Sequence, residues 1–202
     1  MSEKIHYNLI GNAFDYLLLA GELASDDTPR SLKHAVATLA DGMELLLKAR
    51  LEVHDWCLLF KNVDEADRAA IASGDFVSVT FVQAVKRLKG ICSIEIGKEH
   101  RLALEALRQY RNKIRHFAVS ADKAEVLSLI TKSYSFTLDF VSKHLESELD
   151  DAAIEDLRKL RKLLGEYDQF VTDRLKAIGE QLKEQKYSTH IECPKCLQRT
   201  LY

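Results

Sequence analysis

Proline is almost missing from this chain, with two residues in 202, and there are only eight glycines. So few breakers exclude a fold built on many tight turns and point to long helices. No uninterrupted apolar run reaches the roughly 18 residues that mark a membrane span, so no membrane partner is expected. The first residues, Met1 to Tyr7, lack the long apolar core of a secretion signal. A reducing, cytoplasmic location is therefore the expectation. A strong charge of one sign is also absent, the net value being −2. A protein that coats nucleic acid by neutralising many phosphates would be more basic, which leaves local or transient contact open.

Cysteine is scarce, with four residues. Cys57 and Cys92 lie in apolar helical surroundings and are expected to be ordinary buried thiols. Cys193 and Cys196 form a CxxC pair, a spacing that suggests metal more than disulfide.

What is present is a globular composition, 47% apolar and 30% charged, and enough length for one well-buried core with an appendage. Apolar residues at helical spacing predict a helix over about 5–24. Ser25 to Pro29 reads as a turn, with Thr28 or Ser31 capping the next helix and Pro29 tolerated in its first turn. That helix, about 29–53, is the most apolar, and its stripe of Leu39, Met43, Leu46 and Leu47 places it centrally. Within it Glu44 and Lys48 stand four apart, as either a surface ion pair or a polar pair facing a cleft. His54-Asp55-Trp56 reads as an irregular link. A short helix is predicted from about Asp64 to Ser73, broken by Gly74-Asp75. Phe76 to Val79 looks extended. Thr80 caps a helix running to Lys89, which Gly90 ends.

A charged helix follows from about Lys98 to Phe117, with Leu102, Leu104, Leu107 and Ile114 on its apolar side. The next runs from Asp122 to about Glu146, burying Val126, Leu129, Ile130, Tyr134, Leu138 and Val141. Residues 1–148 are thus expected to form an all-α bundle. Over 149–187 apolar residues from Ile154 to Leu182 recur at steps of three or four. They predict a long amphipathic helix, either packed on the bundle or forming a dimer or partner seam. Residues 188–202 form a tail carrying the CxxC pair.

The chemistry concentrates in Arg111-Asn112-Lys113-Ile114-Arg115-His116. From Lys98 to His116 there are six Lys or Arg and two acids, a local charge of +4. At about 100° per residue, Arg111, Asn112, Arg115 and His116 span an arc of roughly 140° and share a broad helix face. Histidine can take a proton from a ribose 2′-hydroxyl or give one to a 5′-oxygen leaving group. Arginine offers a fixed fork of donors to the phosphate and to the charge growing on it. An asparagine can orient either partner, and no metal is needed. The same pattern also suits a solvated charged face.

The run Arg111 to Phe117 resembles the R-x4-6-H signature of HEPN domains, including their polar residue directly after the arginine. The stretch His34 to Leu51, with Glu44-Leu45-Leu46-Leu47-Lys48, resembles the preceding central helix of that family. The resemblance covers residues 5 to 146 and implies an antiparallel helical bundle that dimerises. It implies a metal-independent endoribonuclease of toxin–antitoxin or phage-defence type, with motif helices of two protomers forming one composite RNA cleft. An antitoxin or defence-system partner belongs to that expectation. On that likeness His116 transfers the proton, Arg111 contacts the phosphate and transition state, and Asn112 orients. Lys113, Arg115 and Arg108 are auxiliary RNA contacts, and Lys48 and Glu44 line the cleft. Other members serve as non-catalytic binding or scaffold modules.

Cys193-Pro194-Lys195-Cys196 looks like the first knuckle of a zinc ribbon. A structural zinc takes four ligands, so the site is incomplete in this stretch. Either His190 or another chain supplies ligands, or the sequence is a fragment of a longer protein. Three functions follow: the ribonuclease; a non-catalytic module binding RNA, nucleotide or protein; and a zinc-ribbon sensor or adaptor in which the bundle only dimerises.

Overall fold

The computed structural model describes residues 6–118, 120–166, 191–192 and 199–201. The described residues within 6–166 form an all-helical bundle, and Ile191–Glu192 (β1) and Arg199–Leu201 (β2) pair with each other as a short antiparallel ladder. The helices are α1 (Leu9–Ser25), α2 (Pro29–His54), α3 (Arg68–Ser73), α4 (Phe81–Gly90), α5 (Lys98–His116), α6 (Lys123–His144) and α7 (Asp151–Gly165). Among the described residues no helix is long and apolar enough to cross a membrane.

Caps written in the sequence set most of the boundaries. Asn8 accepts a hydrogen bond from the Gly11 amide at 2.7 Å, so α1 starts later than its apolar periodicity suggests. Thr28 caps α2, with Pro29 in its first turn, where a missing N–H costs nothing. Asp27 takes the left-handed φ of 53° that the turn requires, a conformation short polar side chains tolerate. Thr80 and Gln83 form a reciprocal capping box on α4. Asp122 and Asp150 cap α6 and α7. The expected role of Gly90 is corrected: it is the last helical residue, and Ile91 caps the carboxyl end. The left-handed residue just beyond is Ser93, with φ 56°.

The core sits where α2 is surrounded by α1, α4, α5 and α6. Leu39, Leu46, Leu47 and Leu51 are fully buried, and Met43 nearly so. Burying each such side chain contributes about 1.5–3 kcal/mol. The inward set of α6 is wider than its periodicity predicts. Phe136 and Phe140 are buried, and so are Thr131, Ser133 and Thr137, while Leu138 is only half-buried. Two of these three buried hydroxyls stay compatible with the interior by hydrogen bonding, whereas Thr131 Oγ1 has no partner among the described residues. Ser133 donates to the Leu129 carbonyl at 2.8 Å, and Thr137 to the Ser133 carbonyl at 3.0 Å. The Tyr134 hydroxyl donates to the Leu17 carbonyl at 2.7 Å, pinning α6 to α1. Full burial pushes that phenol far above its ordinary range.

The described part of the C-terminal helix, α7, packs on α1 through Ala153, Leu157, Leu160 and Leu164. Its expected continuation over 167–187 lies outside the described residues. Leu102 departs from its expected place: it is 59% exposed. Its position on α5 is turned away from Leu104 and Leu107, which face α2. Cys57 and Cys92 are free and half-buried rather than buried, and desolvation is the main reason both thiols titrate above their usual range.

One glycine sets the spacing that matters for function. A side chain built on Gly42 would meet Tyr16 Cβ at 3.0 Å and the Ala13 carbonyl oxygen at 3.3 Å. Those atoms are fixed by α1 itself, so α1 and α2 touch almost backbone to backbone here. Gly42→Val is expected to lower stability by about 1–3 kcal/mol through overpacking. The check is a lower urea midpoint at unchanged slope; a wild-type midpoint would contradict the close approach.

Candidate functional site: a charged groove between the first, second and fifth helices

Three polar residues lie along one side of α2. Asp41, Glu44 and Lys48 stand at i, i+3 and i+7, which brings them to one face of a helix. On α1, Asn12 and Tyr16 are one turn apart. Together with Leu45 and Arg111 these residues line a groove of about 210 Å³. Because α5 runs back along α2, Arg111 meets Glu44 while Arg115, one turn on, meets Asp41.

The groove holds a connected ion network. Arg111 Nη2 lies 2.9 Å from Glu44 Oε2 and 3.2 Å from Asp41 Oδ1. Arg115 Nη2 donates to Asp41 Oδ2 at 2.5 Å. Lys48 Nζ lies 2.9 Å from Glu44 Oε1 and donates to Ser78 Oγ at 3.0 Å. Two carboxylates and three cations leave one positive charge. The Lys48 side chain is only 12% exposed and that of Glu44 21%, so the pair faces the groove instead of open solvent. Arg111 Nε is buried and finds no protein acceptor among the described residues.

The arc of Arg111, Asn112, Arg115 and His116 is divided by its neighbours. Arg111 and Arg115 turn toward the acids of α2. Asn112 is half-buried, and its Oδ1 accepts from Arg111 Nη1 at a long 3.4 Å. His116 is exposed at the last turn of α5, its ring edge-on to Phe117 with centroids 6.5 Å apart. Phe117 is itself 77% exposed. Arg111 and His116 of one chain therefore point about 140° apart around the helix axis, and they do not converge on one point.

The remaining sequence candidates are placed as follows. Arg108 is half-buried and bound to Glu105 at 2.5 Å. Lys113 is exposed, with its Nζ 5.6 Å from the centre of the Tyr110 ring. Lys113 and Arg115 also sit in the last turn of α5, where cations complement the partial negative charge of a helix carboxyl end. Cys193, Cys196 and His190 lie outside the described residues. Among the described residues no three His, Cys, Asp or Glu side chains gather as a metal site.

Sequence reasoning passed over Asp41, Asn12 and Tyr16. The signal was present, since Asp41 shares the helix face of Glu44 and Lys48, and Asn12 and Tyr16 are spaced four apart. Asp41 joins two arginines and is 24% exposed. Pairs of that exposure contribute about 0.2–1 kcal/mol. Asp41→Ala is therefore expected to destabilise the fold by about 1 kcal/mol. Its double-mutant cycle with Arg115→Ala should show coupling within that range; strict additivity in urea unfolding would mean that the contact contributes nothing.

Helix α5 thus presents two chemistries: a guanidinium embedded in an acid-lined groove, and an open imidazole at its carboxyl end. No family model, curated protein or solved structure matches the chain.

Proposed function

We propose that this chain is one protomer of a metal-independent endoribonuclease of the HEPN type, acting in the cytoplasm as a toxin or phage-defence effector. The observation that carries this reading is the disposition of α5. His116 is free for proton transfer at an exposed helix end, while Arg111 is held about 140° away around the helix axis. A second copy then completes the site, each chain supplying what the other turns away. The strongly exposed Phe117 beside His116 and Leu102 on the same strip of α5 suit burial at that junction. An antitoxin or defence-system partner would act by covering the same surface.

In the reaction the ribose 2′-oxygen attacks the adjacent phosphorus as its proton passes to an imidazole. The bond to the 5′-oxygen breaks, and that oxygen receives a proton. The products carry a 2′,3′-cyclic phosphate and a 5′-hydroxyl. Arginine and lysine donors stabilise the charge on the phosphoryl oxygens.

A second reading has one observation in its favour. Arg111 already has two carboxylate partners, which suits a non-catalytic module that binds RNA, nucleotide or protein. Incubating the purified chain with RNA in excess chelator separates the two. Cleavage with 2′,3′-cyclic phosphate ends is expected; intact RNA at every protein concentration overturns the enzyme in favour of the module.

A further inference from the structure

The groove between α1, α2 and α5 contains more than a phosphate contact needs. A phosphate site wants donors, yet this groove sets two carboxylates among its cations, with Lys48 Nζ only 2.9 Å from Glu44 Oε1. Each carboxylate oxygen of Asp41 and Glu44 lies against one cation of the network and keeps acceptor capacity for a further donor. The Asn12 carboxamide and the Tyr16 hydroxyl line the same groove. Among the described residues neither makes a side-chain hydrogen bond. The space of about 210 Å³ falls below the roughly 300–1,000 Å³ of pockets for drug-sized ligands. It suits one planar ring system.

We infer that this groove is a nucleobase subsite selective for guanine, seating a base of the RNA strand next to the phosphate bound by Arg111. Guanine carries an acceptor, O6, directly beside two donors, N1–H and the 2-amino group. A carboxylate and a cation held side by side complement that order: Glu44 accepts from N1–H and the amino group while Lys48 donates to O6. Adenine offers a donor followed by an unprotonated ring nitrogen, which leaves the carboxylate facing a lone pair. Tyr16 supplies an aromatic surface for stacking, which every base accepts. Asn12, with one acceptor and two donors, is free to read the remaining edge. The inference rests on RNA being the ligand and is independent of cleavage.

The test is equilibrium binding of 5′-GMP, AMP, UMP and CMP to the full chain by calorimetry, with guanosine, adenosine and inorganic phosphate as separate arms. GMP is expected to bind about tenfold or more tightly than AMP, the discrimination of one good bidentate contact. Guanosine should keep that preference over adenosine. Tyr16→Ala should weaken all four nucleotides, and Glu44→Gln should erase the preference for guanine. Equal affinities for the four nucleotides, or phosphate alone binding as tightly as GMP, overturn the subsite on the wild-type protein whatever the variants do. GMP preference without RNA cleavage sinks the ribonuclease alone. Cleavage with no base preference at the cut site sinks the subsite alone.

Discussion

His116→Ala is expected to lower the rate of RNA cleavage by about 10²–10⁴-fold, the usual contribution of a positioned general acid or base. The same variant should unfold at the wild-type denaturant midpoint within about 0.5 kcal/mol. Both halves follow from its position. The imidazole stands at the exposed end of α5, and its ring contact is with Phe117, which is itself exposed. Nothing in the core depends on it. Loss of activity at unchanged stability therefore reports chemistry and not folding. Arg111→Ala makes the instructive contrast. That guanidinium binds both Asp41 and Glu44, so its removal takes away the cation that joins two neighbouring acids on one side of α2 and leaves each with a single partner, Arg115 or Lys48. Activity and stability should fall together there. If wild type and His116→Ala cut RNA at the same rate, the proposed mechanism is wrong, and any cleavage comes from other groups or from a contaminant.

The largest effect on the fold is expected at Phe14. Phe14→Ala should destabilise the chain by about 3–5 kcal/mol, the range for deleting a buried aromatic. That is a large share of the roughly 5–15 kcal/mol that holds a domain together. Phe14 is fully buried on α1, beside Ala13 and Leu17, which are also fully buried. α1 in turn is gripped by α2 on one side and α7 on another. The cavity cannot close easily, because the backbones of α1 and α2 already touch at Gly42. Leu19→Ala on the same helix is the control, since Leu19 is 47% exposed and should cost little. Equal losses for the two variants would mean that α1 is not buried along the face described. The effect also reaches the groove, because α1 carries Asn12 and Tyr16 two residues to either side of Phe14.

Helix identity and most helix ends were legible in the chain itself. Thr28 with Pro29, Thr80 with Gln83, and Asp122 are local signals, because a cap bonds to an amide two or three residues away. Apolar spacing also identified α2 as the central helix, since its stripe is wide. Periodicity failed at α6 and at Leu102 for one reason. It reports how a helix is amphipathic, not how many neighbours it has. α6 packs on the distant α1 and α2 as well as on its neighbour α5, so Thr131, Ser133 and Thr137 are buried despite their polarity. Leu102 is apolar but faces away from the helices that would cover it.

The segment Arg111 to His116 was likewise visible as a cluster of chemistry-bearing residues, and its arc on a helix follows from helical geometry alone. What each residue faces was decided by tertiary structure. Asp41 and Glu44 are 67 to 74 residues away in sequence from the arginines they bind. Only the return of α5 along α2 brings them within hydrogen-bonding distance. That return converts one basic face into an embedded Arg111, an exposed but paired Arg115 and an open His116. The sequence by itself determined which side chains are available for phosphodiester chemistry, because local spacing sets a helix face. The packing of three helices decided which of them are already paired and which stay free, because a charge is committed by its nearest counter-charge, wherever in the chain that lies.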